Sequence, residues 1–252
     1  MPHIITVTNQ KGGVGKTTTC SALISGLTSR KKRVLGIDLD PQGNLGFSMG
    51  IDIETGLTIY DVLKGGASAS QAVRQTEYGD LIPSNILLSS AELEFNQPGR
   101  EYMLRESIAG IQNQYDYIII DTPPALNILT VNAYVASHSL LIPMIPEILS
   151  LLGISQLKNT IDSVRRFFNS NLRILGILLT KYNKRLNLTR EVTEMTEEIA
   201  KQLGTSVMET CIRSSVATAE APAHGESILT YSPYSNASFD YNRLVDKIYN
   251  SL

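Results

Sequence analysis

A glycine-rich stretch near the amino terminus carries the residue types that bind phosphate. Residues 11–18 read KGGVGKTT, and the glycines are Gly12, Gly13 and Gly15. Glycine permits positive φ, which we expect at all three, and it lets successive backbone N–H groups face one anion. In such a loop the Lys16 ammonium would reach the β- and γ-phosphates of a nucleotide, and the Thr17 hydroxyl would ligate Mg²⁺.

The loop departs from the standard P-loop frame at its start. The frame G-x-x-x-x-G-K-T would need glycine at position 10, where this chain has Gln10. A glycine-rich turn with an incidental lysine is the alternative. The Gly-Lys-Thr ending, with a strand before the loop and a helix after it, favours the phosphate site. The residues expected to contact the nucleotide here are Lys11, Gly12, Gly13, Val14, Gly15, Lys16, Thr17 and Thr18.

Two carboxylates follow the second apolar run of the chain. Asp38 and Asp40 begin the stretch DLDPQGN, and alternation would place both on one side of an extended segment. There they could hold a Mg²⁺-bound water and orient a water for attack on the γ-phosphate. A helix-capping or turn aspartate is the alternative, because Asp-Pro and Gly-Asn are ordinary turn sequences.

A third acidic position closes the run YIIID. The apolar strand ending at Asp121, followed by Thr-Pro-Pro, has the pattern of a Walker B strand. Asp121 would then bind Mg²⁺ directly or through water. An apolar run ending in aspartate is weak evidence alone, but it is strong beside a P loop.

These side chains need elements that bring them together, and the chain alternates apolar runs with helical patterns. The predicted strands are Ile4–Thr8, Arg33–Asp38, Leu81–Pro83, Tyr117–Asp121, His138–Met144 and Arg173–Thr180. The predicted helices are Thr17–Ser29, Tyr102–Asn113, Ile128–Ala136, Ile148–Asn169, Leu188–Leu203 and Asp240–Ser251. This pattern predicts an α/β fold, with a mostly parallel twisted sheet and helices on both faces. Ligands of such sheets bind at the carboxyl ends of the strands.

Composition limits the classes of protein. The chain has 252 residues, 42% of them hydrophobic, and a net charge of −2, so any contact with nucleic acid must come from a local basic patch. The two cysteines, Cys20 and Cys211, have no metal-binding spacing, which excludes an iron–sulfur reductase. We see no signal sequence or membrane-spanning run, and expect one cytoplasmic P-loop domain over 1–252.

Together the motifs resemble the deviant Walker A group K-G-G-x-G-K-[ST] and, within it, the ParA/Soj partition ATPases. The matching stretches, in the family's order and spacing, are TNQKGGVGKTTT, DLDPQGN, YDYIIIDTPP, GILLT and AEAPAHG. The resemblance covers essentially the whole chain. It implies ATP and Mg²⁺ as ligands, a homodimer in the ATP state, and slow hydrolysis stimulated by a ParB-type centromere-binding protein. It also implies non-specific DNA binding, with the ATP form on the nucleoid.

The resemblance assigns roles to individual residues. Lys11 would reach across the dimer interface to the partner's phosphates, although a solvated surface lysine is the alternative. Gly12 sits where a bulkier residue blocks productive dimers, and Asp40 matches the residue whose loss traps the ATP state. With Lys16, Lys11 and Asp40 are therefore the catalytic candidates. The implied Mg²⁺ shell is Thr17, Asp38 and Asp121, and adenine would pack near Asn183 and residues 212–216.

A basic run follows the last predicted strand. Residues 181–190 read KYNKRLNLTR and could grip DNA phosphates without reading bases. The candidates for DNA contact are Lys184, Arg185, Arg190 and Arg213. A solvated loop is the alternative. The family's loop before the EAP stretch often carries two arginines, whereas this chain has Arg213, Ser214, Ser215 and Ala217 there.

The alternative function is a MinD-like positioning module that acts on a protein or membrane partner. Such proteins use a carboxyl-terminal amphipathic helix. The tail Phe239–Leu252 has apolar residues at helical spacing, but Arg243 and Lys247 are balanced by Asp240 and Asp246. A surface-seeking helix would be richer in Lys and Arg, so we expect this tail to pack against the core without stable membrane insertion.

Overall fold

A seven-stranded sheet organises the part of the chain that the structure, a computed structural model, describes. That part is residues 1–147, 153–183 and 187–251, without the side chains of 187–190. The strands are β1 (His3–Val7), β2 (Val34–Asp38), β3 (Arg74–Thr76), β4 (Gly79–Ile82), β5 (Tyr117–Asp121), β6 (Ser139–Met144) and β7 (Arg173–Leu179). Their order is β3-β4-β2-β5-β1-β6-β7, and β3 pairs antiparallel with β4. The other neighbours pair in parallel, as predicted.

Helices connect these strands. The longer helices are α1 (Lys16–Ser29), α7 (Ile128–Ala136), α8 (Ile154–Phe167), α9 (Asn187–Gln202) and α12 (Asn236–Ser251). The shorter ones are α2 (Asn44–Ser48), α3 (Ile59–Leu63), α4 (Ala69–Ala72), α5 (Ala91–Glu94), α6 (Met103–Ile108), α10 (Ala217–Glu220) and α11 (Ile228–Tyr231). Short 3₁₀ turns cover Ile86–Ser90, Arg100–Tyr102, Gln112–Gln114 and Ala221–His224.

The central strands are buried on both faces, because helices cover both sides of the sheet. Successive residues of β5 alternate between two cores: Ile118 and Ile120 belong to one, and Ile119 to the other. The core of Ile119 also contains Leu23 of α1 and Leu244 of α12. All five residues of β5 are buried. Continuous apolar runs therefore mark covered strands here, as the sequence predicted.

Several predicted boundaries need correction. The helix expected over Tyr102–Asn113 is shorter, Met103–Ile108, and passes into irregular turns before Tyr115. The last helix begins earlier than predicted, at Asn236. Of the helix predicted over Ile148–Asn169, the structure describes Ile154–Phe167, and residues 148–152 lie outside the described part.

The carboxyl-terminal helix α12 packs into the core, as predicted. Leu244, Val245 and Ile248 are fully buried, while Phe239 is about half exposed. The bridge Arg30–Asp246, 2.6 Å between Nη2 and Oδ1, also ties α12 to the end of α1. Among the described helices, none has the length and hydropathy needed to cross a bilayer.

Candidate functional site

Three strand ends meet at one edge of the sheet, as the sequence predicted. β5 lies between β1 and β2, and Asp121 is in register with Val7 on one side and Asp38 on the other. The P loop follows β1 directly. The glycine-rich loop and the two acidic strand ends therefore form one site.

The P loop is shaped by two of its three glycines. Gly13 has φ 72° and Gly15 has φ 87°, the left-handed region that favours glycine. The expectation of positive φ at Gly12 is wrong, since the turn is made at the two later glycines. Gly12 is exposed, and a Cβ placed on it would meet nothing within 4 Å. Its own chain therefore leaves room for a side chain at this position.

Lys16 opens α1 and lies almost buried at the base of the loop. Its side chain is part of a residue only 7% exposed, and Nζ donates to the Lys11 carbonyl oxygen at 3.2 Å. Burial lowers the pKa of Lys16, while the charges of Asp121 and Asp40 act in the opposite direction. A bound anion would restore the solvation that burial removes from this ammonium group.

Thr17 links the cavity to the buried carboxylates. Its hydroxyl donates to Asp121 Oδ2 at 2.7 Å. Burial raises the pKa of Asp121 to about 6, while the hydrogen bond from Thr17 and the charge of Lys16 act to lower it. Burial, then the charge of Asp121, also raises the pKa of Asp38. Two adjacent buried carboxylates beside a hydroxyl are a donor set that suits Mg²⁺.

Asp38 combines this position with a capping role. Its Oδ1 accepts from the Asp40 N–H at 2.9 Å, and its Oδ2 accepts from the N–H groups of Leu45 at 3.0 Å and Gly46 at 3.4 Å. The carboxylate thus satisfies amide groups at the start of α2. Asp40 lies two residues beyond the end of β2, and its N–H bond to Asp38 keeps the two residues in contact. Asp38 therefore caps a helix, as the alternative interpretation predicted, and its carboxylate also lies close to the Thr17–Asp121 pair.

Asp40 lines the site next to the buried Asp38–Asp121 pair. It is 8% exposed, and its Oδ1 accepts from the Gln42 N–H at 3.0 Å. This bond fixes the orientation of the carboxylate at the cavity surface. The oriented Asp40 carboxylate could therefore accept a hydrogen bond from a water molecule.

A cavity of about 580 Å³ lies over the P loop. Its walls include most of the predicted phosphate-site residues, namely Gly12, Gly13, Gly15, Lys16, Thr17, Thr18 and Asp40. Asp38 and Asp121 are fully buried behind this wall. Val14 is buried, and its carbonyl accepts from the Thr180 hydroxyl at 2.8 Å. A volume of this size is in the usual range for a small-molecule site.

The cavity wall also contains residues that the motif analysis did not assign to the nucleotide. Lys181, Thr218 and Pro222 line it, whereas Asn183 is exposed and, within the described part, is not a lining residue. The adenine assignment of Asn183 stays a prediction. Lys181 has φ 49°, unusual for a residue other than glycine. The stretch AEAPAHG is the sequence signal for this wall, since it contains Pro222.

The first lysine of the loop lies apart from the cavity. Lys11 Nζ forms an ion pair with Glu147 Oε2 at 2.6 Å. Among the described residues, Lys11 is not one that lines the cavity. Its ammonium group is therefore placed at the loop entrance, while Lys16 occupies the base.

The four candidates for DNA contact are only partly described. Lys184 and Arg185 lie outside the described residues, and so does the side chain of Arg190, which falls in α9. Arg213 uses Nε and Nη2 to donate to the buried Asp240, at 2.8 Å each. Arg213 therefore fastens α12, and its DNA role stays a prediction.

Comparisons with known proteins cover nearly the whole chain. A family model described as an AAA domain matches residues 2–174. The chain is 41% identical to the sporulation initiation inhibitor protein Soj of Bacillus subtilis (strain 168), with 98% of each chain covered. It is also 41% identical to the chromosome partitioning protein ParA of Myxococcus xanthus, over 95% of this chain and 85% of the relative.

A solved structure repeats the same fold with ligands bound. Cobyrinic acid a,c-diamide synthase from Mycobacterium smegmatis, with bound ADP and magnesium, superposes with a TM-score of 0.86 at 33% identity. The match covers 99% of this chain and 95% of that one. A second structure of that synthase holds an ATP analogue and magnesium.

Proposed function

The chain belongs to the Soj/ParA family of chromosome-partitioning ATPases, and from this premise we propose that it is an ATP-dependent dimerising switch that binds DNA non-specifically. It would act in partitioning a chromosome, plasmid or mobile element. A ParB-type centromere-binding protein would stimulate its slow hydrolysis of ATP. The ATP form would be cytoplasmic and associated with the nucleoid.

The observation that carries this proposal is the meeting of Lys16, Thr17 and Asp40 at one cavity. The buried ammonium of Lys16 supports binding of the β- and γ-phosphates, together with the backbone N–H groups at the start of α1. Asp40 supports hydrolysis, because its fixed carboxylate could orient a water towards the γ-phosphate. The positive charge of Lys16 would thus hold the phosphates, and the negative charge of Asp40 would hold the attacking water.

The residues also fit a magnesium ion. Thr17 would hold it through its hydroxyl, with Asp121 and Asp38 supplying negative charge from behind. When bound with ATP, magnesium neutralises charge that develops on the phosphate oxygens. The raised pKa values of both carboxyl groups support this assignment, because a nearby cation would favour their ionised forms.

Dimerisation is supported by the position of Lys11. Its ammonium group is paired with Glu147 at the loop entrance, outside the wall of its own cavity. From there it could act on phosphates that another subunit presents. Catalysis would then depend on assembly, as a timing switch requires.

DNA binding would use Lys184, Arg185, Arg190 and Arg213, and a dimer would double the patch. We would measure binding of a non-specific duplex with ATP, ADP and no nucleotide, at two salt concentrations. ATP-dependent binding that weakens with salt, and that a Lys184→Ala/Arg185→Ala variant loses, is the expected result.

The matched control removes two cations elsewhere, Lys158→Ala/Lys201→Ala, whose lysines pair with exposed carboxylates of their own helices. This variant should bind DNA as the original protein does. If the unaltered protein dimerises with ATP but binds no duplex under any nucleotide, the DNA part of the proposal is wrong. The ATP-dependent dimer would then be expected to act on a protein or membrane partner instead of DNA.

A further inference from the structure

The ion pair between Lys11 and Glu147 gives the P loop an intramolecular partner for its first lysine. We propose that Glu147 is a positioning residue, which holds the Lys11 ammonium at the entrance of its own P loop until a second ATP-bound subunit competes for it. This inference rests on the proposed ATP-dependent dimer. It adds a step that must precede closure: each Lys11 has to leave Glu147.

The pair is direct and accessible. Lys11 Nζ and Glu147 Oε2 are 2.6 Å apart, and the two side chains are 31% and 52% exposed. A short contact of this kind holds the ammonium in place, yet the solvent around it weakens the attraction. Such a pair can open when a stronger anion approaches.

Hydrogen bonds also fix the backbone at Lys11. Asn9 accepts from the Lys11 N–H at 3.0 Å and donates to the Pro143 carbonyl at 2.8 Å. One amide side chain thus ties the loop entrance to β6, the strand that precedes Glu147. The neighbouring Gln10 donates to the Gly153 carbonyl at 2.6 Å. Three consecutive side chains of the loop entrance therefore contact Pro143, Glu147 and Gly153.

The two lysines of the loop place their ammonium groups in different surroundings. Lys16 Nζ donates to the backbone carbonyl of Lys11, so the two residues are in contact. Their ammonium groups nevertheless diverge: one lies in the cavity wall and the other at Glu147. Glu147 thereby keeps the second ammonium from crowding the first and directs it to the outside of the chain.

The Lys11–Glu147 ion pair, which we call the latch, is weak enough to open and close reversibly. Exposed ion pairs contribute roughly 0.2–1 kcal/mol, which is about a 1.4- to 5-fold effect on an equilibrium. A γ-phosphate carries more negative charge than one carboxylate and is less exposed in a closed interface, so it would win the competition. Because a symmetric dimer opens two latches, the effect on the dimer dissociation constant is squared.

The test is Glu147→Gln, which keeps the side-chain shape and removes its charge. We would measure the dimer dissociation constant by analytical ultracentrifugation with a non-hydrolysable ATP analogue and Mg²⁺. The expected result is a dimer tighter by roughly 2- to 25-fold at low salt, with the difference shrinking as salt screens the latch. Glu147→Asp, which retains the carboxylate, should return the constant towards the original value.

The control is Glu198→Gln, which removes the same charge from an exposed pair with Lys201 on α9. It should leave the dimer constant nearly unchanged, which separates the latch from a general reduction of net charge. An unchanged or weaker dimer in Glu147→Gln would overturn the latch while the ATP switch stands. If the unaltered protein forms no dimer with the analogue, the proposed function fails, and the latch with it.

Discussion

Asp38 and Asp121 lie opposite each other at the ends of adjacent parallel strands, and both are completely buried. Strand register brings the two carboxylates together, because β2 and β5 end at the same level. Burial and mutual repulsion raise the pKa of Asp38, and burial raises that of Asp121. The fold thus carries an electrostatic strain at the position where the proposed function needs a cation.

The first prediction is that Asp121→Asn stabilises the ligand-free protein and abolishes ATP hydrolysis. The pKa of Asp121 is raised to about 6, so protonation of Asp121 contributes stability that is fully present below about pH 4 and is lost as pH rises through about 6. Asparagine cannot ionise and still accepts from Thr17. In thermal melts we expect a gain of at least about 2 °C at pH 7.5 and a smaller gain at pH 4.5.

The control for this prediction is Asp162→Asn, which alters an exposed carboxylate paired with Lys158. Its melting temperature should stay within about 1 °C of the original. A loss of stability in Asp121→Asn at both pH values would contradict the account of the buried pair.

The second prediction separates the glycines of the P loop. Gly12→Val should fold with its stability within about 0.5 kcal/mol and still bind nucleotide, because a Cβ there meets nothing within 4 Å. Gly15→Val should lose roughly 1–3 kcal/mol, because a β-branched residue is strained at φ 87°.

Sedimentation with an ATP analogue completes the comparison. Gly12→Val should remain monomeric, since the new side chain would occupy the face offered to the second subunit. Normal dimerisation of a well-folded Gly12→Val protein would mean that this face is not the interface.

The third prediction concerns His3, the first residue of β1. Burial, and then the charge of His138, lowers the pKa of His3 to about 4. His3 therefore contributes stability that is present above about pH 6.5 and is lost as pH falls towards about 4. Between pH 7.5 and 5, His3→Phe should lose less stability in urea than the original protein does, by about 1 kcal/mol or less after solvent screening.

The environment of His3 determines how this experiment is interpreted. The His138 ring is 5.4 Å away between centroids, and Ser139 Oγ is 3.2 Å from Nε2. Asp121 titrates in the same range with the opposite sign, but it is common to both proteins and cancels in the difference. Equal losses in the two proteins would show that His3 is not the group that titrates.

The fourth prediction is that Arg213 supports the fold. Its guanidinium donates twice to Asp240, whose side chain is only 7% exposed. Arg213→Ala should lower the free energy of unfolding by about 1–3 kcal/mol, because a buried carboxylate loses its charged partner. Urea titration would measure this, with Lys201→Ala as the exposed control. An unchanged urea midpoint would show that Arg213 does not stabilise the fold, and DNA binding would be its only proposed role.

The sequence predicted the central strands well for a physical reason. Strands covered on both faces are continuous apolar runs, so YIIID and SLLIPM could be recognised without the structure. The P loop and the acidic strand ends followed from the same pattern. Strand order then required the three ends to meet at one edge.

Elements that depend on tertiary contacts were missed. Helix α2 has five residues, too few to be stable alone, and it is capped by Asp38 from another part of the site. Strand β3 is three polar residues held by pairing with β4. Lys181 was grouped with the basic run, because nothing in its neighbours revealed that it lines the cavity.

The most direct test of the account is to mix two inactive variants, Lys11→Ala and Asp40→Ala, and to measure ATP hydrolysis. If Lys11 acts on the partner's nucleotide and Asp40 on its own, a mixed dimer contains one site with both groups. We predict that each variant alone is inactive and that each mixed dimer recovers about half of the original turnover, so an equal mixture with random pairing recovers about a quarter. No recovery, with mixed dimers present by sedimentation, would contradict action of Lys11 across the interface.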